Sequence, residues 1–574
     1  MSTEKRNTGK TIAIVVGVLV VLCLCLACVA GVAYWQRDKV LGLLGLAQQT
    51  QAAKMMPADT PFYVGMSLNL QNQAGYENLK KIYLDNPDVK KALDEAKANA
   101  TKETSIVFEE DVQPWLGTEA ALGVFNITQE TMSSGSPPDM LIAVSTRDVK
   151  ASEAALEKFR AGLAESSGRP FEEGTYQGVT YWFQKAESGS DTYVAIFNSF
   201  VVFTASEETL FGAIDRAKSG GESLADNENF QAAMGELPKN GAFFTFVDWA
   251  TIADLVAQNA TMQLNSEQLS QLKAIQSMGM AVTLQPDGVQ MDTAIRFDPT
   301  KLPESTQAML NRPASPNTVL TKIPSGALGF YNSSDLRSIW QQIRESLAAN
   351  PDFEKQLADM QEQTGINLNE DVFGWMTGEF ALVLAKVEPA QPTDESLPAF
   401  NLPLGGYLLI GASDAQTAQD KVAALIEVIN KDQEPPALVF ESKTIGGHAM
   451  QTIPDPATGG VMGGYGFWDN YVIAGYHEDA LKAAFAAPDD PIANSPNFKT
   501  VSNRLPAKNY GYFYVDIDAV RGLVESLLTD STREGYDSAR PFIEPLRALG
   551  VAANADSAQK GVQKATMFLL ISEK

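Results

Sequence analysis

The chain has 574 residues, 45% of them apolar and 20% charged, with a formal net charge of −26. That length exceeds what one hydrophobic core serves, and the composition excludes an intrinsically disordered chain. So acidic a balance repels polyanions, which excludes nucleic acid as a partner and makes a solvated acidic surface the simplest reading.

Residues 1–10 form a short tail carrying Lys5, Arg6 and Lys10, and residues 11–36 then hold no charge at all. At about 1.5 Å per residue the run is long enough for a hydrocarbon core of roughly 30 Å, so it predicts one transmembrane helix. It is longer than a cleavable signal core, which favours an uncleaved anchor. The basic tail places the N-terminus in the cytoplasm, with Tyr34 and Trp35 at the outer interface. The expectation is a single-pass protein of the cytoplasmic membrane whose bulk is extracytoplasmic, in the cell envelope. All three cysteines, Cys23, Cys25 and Cys28, fall inside the apolar run, so no disulfide braces the rest. Residues 37–55 read as a stalk.

Beyond the stalk the chain reads as doubled. Asp111-Val112-Gln113-Pro114-Trp115-Leu116-Gly117-Thr118-Glu119 returns as Asp371-Val372-Phe373-Gly374-Trp375-Met376-Thr377-Gly378-Glu379, with Asp, Val, Trp and Glu at the same spacing in a chain of seven tryptophans. Further anchors agree in order. The strand of Met140–Ser145 matches Tyr407–Ala412, and Tyr176-Gln177-Gly178 matches the hairpin turn Ile445-Gly446-Gly447. The strand of Ala242–Asp248 matches Gly511–Asp516, and each copy closes on a hairpin. Alternating strands in adjacent hairpins with amphipathic helices between them predict mostly antiparallel sheet. The fold class expected is α+β: two tandem duplicated domains, each a mostly antiparallel sheet with helices packed on it, after one N-terminal transmembrane helix. Their expected bounds are 56–298 and 318–574, joined by a proline-rich linker at 299–317.

In the doubled motif Asp111 and Asp371 are expected to N-cap a single helical turn. Val112 with Trp115, and Val372 with Trp375, then share a face on which the indole plugs the end of the sheet, while Glu119 and Glu379 start the next strand. Nothing nearby supplies a third partner for acid–base chemistry or a hard cation, so the motif reads as structural. The glycine-rich run Gly459–Gly466 leads into a strand and not a helix, which excludes a dinucleotide cradle and suggests a hairpin loop. Two histidines, His448 and His477, sit apart and read as surface residues, giving no zinc site and no histidine-based triad. No catalytic residue, cofactor or metal is expected. The aromatic run Tyr512-Phe513-Tyr514 must place side chains on both faces of its sheet, so the second face needs helices, a partner or a ligand to cover it.

Pro57-Ala58-Asp59-Thr60-Pro61-Phe62-Tyr63-Val64, followed by the motif from Asp111 to Glu119, resembles the bacterial membrane-anchored family known as domain of unknown function 3352. The resemblance implies the architecture above and brings no activity, cofactor or catalytic residue. The second copy departs from it, with Ser325-Gly326-Ala327 for Ala-Asp-Thr and Met376-Thr377-Gly378 for Leu-Gly-Thr. Three functional readings follow. The leading one is a non-enzymatic binding or scaffolding module with a protein partner in the envelope. The others are a carrier of a lipid or other hydrophobic ligand, and an unrecognised envelope hydrolase.

Overall fold

The computed structural model describes residues 51–573 apart from residue 105, residues 129–130, 132–137, 187–189, 259–268, 271, 337–338, 342–343, 345–350, 389–402, 431–437, 456–458 and 557–560. The expected tail, the transmembrane helix of 11–36 and most of the stalk lie outside the described residues. Among the described residues no helix is long and apolar enough to cross a membrane. The chain divides into two compact units, the first running to Lys301 and the second spanning Leu302–Ile571.

The first unit holds strands β1 (Phe62–Ser67), β2 (Leu116–Phe125), β3 (Asp139–Thr146), β4 (Glu172–Tyr176), β5 (Val179–Gln184), β6 (Thr192–Phe197), β7 (Phe200–Thr204), β8 (Phe243–Asp248), β9 (Ile275–Gln285) and β10 (Gly288–Phe297). They pair antiparallel in the order β4-β5-β6-β7-β3-β2-β1-β8-β9-β10. Tight turns follow the local sequence: Gln177 and Gly178 both adopt positive φ between β4 and β5, as do Asn198 and Ser199 between β6 and β7. Asp148 caps the helix Val149–Ser167 by accepting from the Ala151 amide, and Gly168 ends it at φ 71°.

Both faces of this sheet are covered. Tyr63, Leu141, Val202 and Phe246 pack beneath Leu210, Ile214 and Phe230 of the following helices, and on the opposite face Val144, Val194 and Val201 meet Ala155, Leu156 and Trp115. The end of the expected stalk is part of this unit and not a tether. Residues 51–55 form a 3₁₀ turn whose Ala52, Ala53 and Met55 are fully buried in the same core as Tyr63. Small and unbranched apolar side chains next to a buried acceptor made that packing favourable.

The second unit holds β11 (Gly329–Ser333), β12 (Met376–Lys386), β13 (Leu404–Ala412), β14 (Glu441–Ile445), β15 (His448–Pro454), β16 (Val461–Trp468), β17 (Tyr471–Tyr476), β18 (Phe513–Asp516), β19 (Leu546–Asn554) and β20 (Val562–Ile571). Its antiparallel order, β14-β15-β16-β17-β13-β12-β11-β18-β19-β20, corresponds strand for strand to that of the first. Helix and antiparallel sheet together make the fold α+β. The segment expected as a proline-rich linker contains a 3₁₀ turn at Pro299–Lys301 and a helix at Glu304–Leu310, so its prolines bound short helices.

One face of the second sheet carries the unit's main core, in which Phe330, Val383, Tyr407, Ile473 and Tyr514 pack against Leu481 and Phe498. Among the described residues the other face carries a smaller cluster of Trp375, Met376, Ala412, Ala418 and Val472 near one end. Of the glycine run expected as a hairpin loop, Gly459 and Gly460 do lie in the turn between β15 and β16, with Gly459 at φ 69°, whereas Gly463, Gly464 and Gly466 sit in the ladder of β16. The neighbouring strands demand it: a Cβ on Gly463 would stand 2.9 Å from the Gly475 carbonyl oxygen.

Candidate functional site

The doubled motif builds the same small structure in each unit. Asp111 and Asp371 close a five-residue turn, Phe108–Val112 and Leu368–Val372, instead of capping its start. Their carboxylates reach back four residues: Asp111 Oδ2 accepts from the Val107 amide at 2.7 Å and Asp371 Oδ2 from the Asn367 amide at 2.8 Å. The expectation of an N-cap fails because the turn begins three residues before the Asp and its N-cap residue four before, so the side chain satisfies the orphan amide from the far end. Lys158 and Lys421, on the next helix of each unit, pair with these aspartates at 2.6 Å. Lys421 and the Asn367 amide hold the Asp371 carboxyl below its ordinary range.

Trp115 and Trp375 are 7% and 4% exposed, and each indole N–H donates to the carbonyl of its own Asp111 or Asp371. Val112 and Val372 pack in the same clusters as those indoles. The strands open at Leu116 and Met376, with a register shift that sets Glu119 and Glu379 inside them and not at their start. Each glutamate then accepts the amide of a 3₁₀ turn brought from elsewhere in its unit: Ala52 to Glu119 at 3.2 Å, Val319 to Glu379 at 3.0 Å. The two carboxylates differ in company. Glu379 also accepts from Tyr471 Oη and Thr318 Oγ1, both at 2.6 Å. Glu119 is buried with mainly backbone donors, and burial pushes its carboxyl up to about 7 against the pull of the Ala52 and Gln51 amides and of Lys54. Burial, followed by the charge of Glu119, raises the Tyr63 hydroxyl.

The strongest asymmetry lies on the sheet face that carries the Trp end. In the first unit β2, β3, β7 and β6 present the cross-strand row Leu122, Ile142, Phe203 and Val194. Phe203 meets Phe159 of the covering helix edge to face at 5.7 Å, and Arg160 lies 4.1 Å above the Trp182 ring. In the second unit the matching row on β12, β13, β17 and β16 is Leu382, Leu408, Ala474 and Tyr465. Ala474 stands where Phe203 does, and Leu425 follows its capping aspartate at the place of Phe159. The next row reads Leu384, Gly406, Tyr476, Gly463 and Ile453, against Met140 at the place of Gly406.

Removing those side chains leaves a groove of about 670 Å³ in the second unit, within the size range of small-molecule sites. Its floor is Gly406, Gly463, Gly464 and Ala474, and its walls include Leu382, Leu404, Phe440, Ile453 and Tyr465. Every lining residue is Leu, Gly, Ala, Ile, Phe or Tyr, so the hydroxyls of Tyr465 and Tyr476 are the polar side-chain groups there, that of Tyr407 being buried in the core and donating to the Lys322 carbonyl. Leu382 and Leu384 at its edge are 50% and 44% exposed. Sequence reasoning missed this site because it took the glycines for a loop; the available signal was glycine alternating with large apolar residues in a strand beside Gly405-Gly406 and Gly475.

The two histidines do not face this groove as free surface groups. His448 stacks on Phe485 at 4.2 Å, and His477, at φ 74°, caps the helix Glu478–Ala486 by accepting the Asp479 amide. Among the described residues no group of three or more His, Cys, Asp or Glu is placed to hold a metal.

Compared with known proteins, the chain has no match among curated sequences. Solved structures of TP0453 resemble part of it. Crystal form IV is 13% identical, covers 42% of this chain and 79% of that one, and has a TM-score of 0.22. Crystal form III is 11% identical, covers 45% and 85%, and has the same TM-score. A likeness of that size carries no argument. The family model described as "Protein of unknown function (DUF3352)" matches residues 15–571.

Proposed function

The chain belongs to the DUF3352 family, and on that premise we propose that it is a non-enzymatic binding module of the cell envelope whose second unit holds a hydrophobic ligand in the open groove. The observation that carries this reading is the groove itself: an apolar trough of about 670 Å³ floored by glycine and alanine where the first unit is filled. Burying apolar surface supplies the affinity, at roughly 25 cal/mol per Å² before the costs of association. A side-chain lining of aliphatic, aromatic and glycine residues suits retention of a chain and lacks the paired acid and base that hydrolysis needs.

The strand order common to the two units and the returning Asp-Val-x-x-Trp motif support an origin by tandem duplication. In that history the first unit kept a filled face and serves as scaffold, while the second lost side-chain volume and gained a site. The uncharged run of 11–36 would anchor the protein in the cytoplasmic membrane as a single-pass helix with both units outside, which puts the groove near a source of acyl chains.

Titration of the full chain with parinaric acid, a fluorescent fatty acid, tests this. Saturable binding at one site is expected, and Ala474→Phe, which installs the first unit's residue, should weaken it by about tenfold or more, since the ring would stand on the floor of the trough and block the path of a chain along it. Absence of saturable binding, or binding untouched by Ala474→Phe, would contradict the proposal.

A further inference from the structure

The apolar face of the second unit does not stop at the groove. The cross-strand row that crosses it continues beyond Leu382 to Tyr331 on β11 and Phe513 on β18, each directly paired to the last. Tyr331 is 42% exposed and Phe513 44%. Both are large and unbranched at the surface of a chain that is otherwise strongly acidic, and neither is charged. At the matching places the first unit has Val64 and Thr245, which are half-buried. The row therefore runs Phe513, Tyr331, Leu382, Leu408, Ala474, Tyr465 over six adjacent strands.

Its length exceeds that of one lipid tail. Five strand spacings of about 4.8 Å give about 24 Å. One lipid tail spans half of a hydrocarbon core of roughly 30 Å, about 15 Å. The groove between Leu382 and Tyr465 is of one tail's length, and the shelf of Tyr331 and Phe513 on the other side of Leu382 extends the face toward a second. Among the described residues the exposed large side chains of this face, Leu382, Leu384, Tyr476, Tyr331 and Phe513, number five, far short of the roughly 20–30 residues a side that a stable protein interface uses.

We propose, resting on the hydrophobic-ligand reading above, that the occupant is a diacyl lipid, with one tail in the groove and the second laid over Leu382, Tyr331 and Phe513. The uncharged row contacts the tails and leaves the headgroup to solvent, so the selection is for chain number and not for head charge.

The test is displacement of parinaric acid from the full chain by dipalmitoyl phosphatidylcholine and by its one-chain counterpart, presented in the same mixed micelles. The two-chain lipid should displace the probe about tenfold more effectively, because its second tail covers the exposed apolar surface of Leu382, Tyr331 and Phe513 that the one-chain lipid leaves in water. The double variant Tyr331→Gln, Phe513→Gln should bring the two-chain lipid down to the level of the one-chain lipid and leave the latter unchanged. Equal displacement by the two lipids, with the double variant silent, overturns the diacyl assignment while the groove stands. A dimer seen by light scattering and abolished by the double variant also overturns it, giving the shelf to a second copy of the chain. Displacement by neither lipid, with Ala474→Phe still binding the probe, removes the groove and this inference together.

Discussion

The first unit closes both faces of its ten-stranded sheet, whereas among the described residues the second unit, with the same strand order, leaves part of one face open. Phe203 against Phe159 helps close that face; at the matching positions the second unit has the smaller Ala474 and Leu425. Strand order, register and the Trp plug are indifferent to that exchange, so a binding surface can be gained by subtracting volume from positions that the framework does not use. What the framework does use is the motif from Asp111 to Glu119 and from Asp371 to Glu379, where the two units agree.

The comparison can be broken most severely at the part the units hold in common. Trp115→Ala and Trp375→Ala should each cost about 3–5 kcal/mol in its own unit, read as separate transitions in calorimetry. A cost confined to one unit would show that the plug is not equivalent in the two. Phe203→Ala should come next, costing about 2–3 kcal/mol in the first unit and opening a trough there that takes up parinaric acid; a destabilised first unit that still binds nothing would mean that volume alone does not make the site.

The two glutamates sharpen the comparison through pH. Glu119 has its carboxyl raised to about 7, with Lys54 and Tyr63 as the titratable groups facing it. A raised folded value means that the folded state binds the proton more tightly than the unfolded one. This contribution is therefore fully present below the ordinary carboxyl value and is lost as pH rises through about 7. Glu119→Gln should thus stabilise the first unit at pH 8 by about 1–3 kcal/mol and flatten that dependence, measured by amide exchange of residues 52–56. Glu379→Gln should act in the opposite direction, costing about 1–3 kcal/mol, because the carboxylate accepts from Tyr471 and Thr318. The same sign for both substitutions would refute the distinction. The smallest effect belongs to the outer ion pairs: Lys158→Gln and Lys421→Gln should each cost less than about 1 kcal/mol in thermal unfolding.

Much of the fold was legible in the sequence because turns, caps and periodicity are local. Gln177-Gly178 and Gly446-Gly447 mark hairpins by their φ preference, and Asp148 and Asp414 cap the helices expected after their strands. The doubled motif was legible as a pair of matching turns ahead of a strand, although the direction in which Asp111 and Asp371 satisfy the turn was not, since a carboxylate near a helix end can serve either terminus. The groove was illegible for a different reason. Gly463 and Gly464 look like loop residues until Gly475 and Gln451 are known to press against them across the sheet. Burial of Ala52 and Met55 was hidden likewise, because the acceptor that fixes that turn, Glu119, is 67 residues away.

The account rests on the claim that the open face of the second unit, and not the closed face of the first, takes up an acyl chain. A fatty acid bearing a photoreactive diazirine, crosslinked to the full chain and mapped by peptide mass spectrometry, tests this most directly. Adducts concentrated on β12, β13, β16 and β17, and lost in Ala474→Phe, are the predicted result. Adducts on β2, β3, β6 and β7 at equal yield, or adducts that Ala474→Phe does not remove, would contradict it.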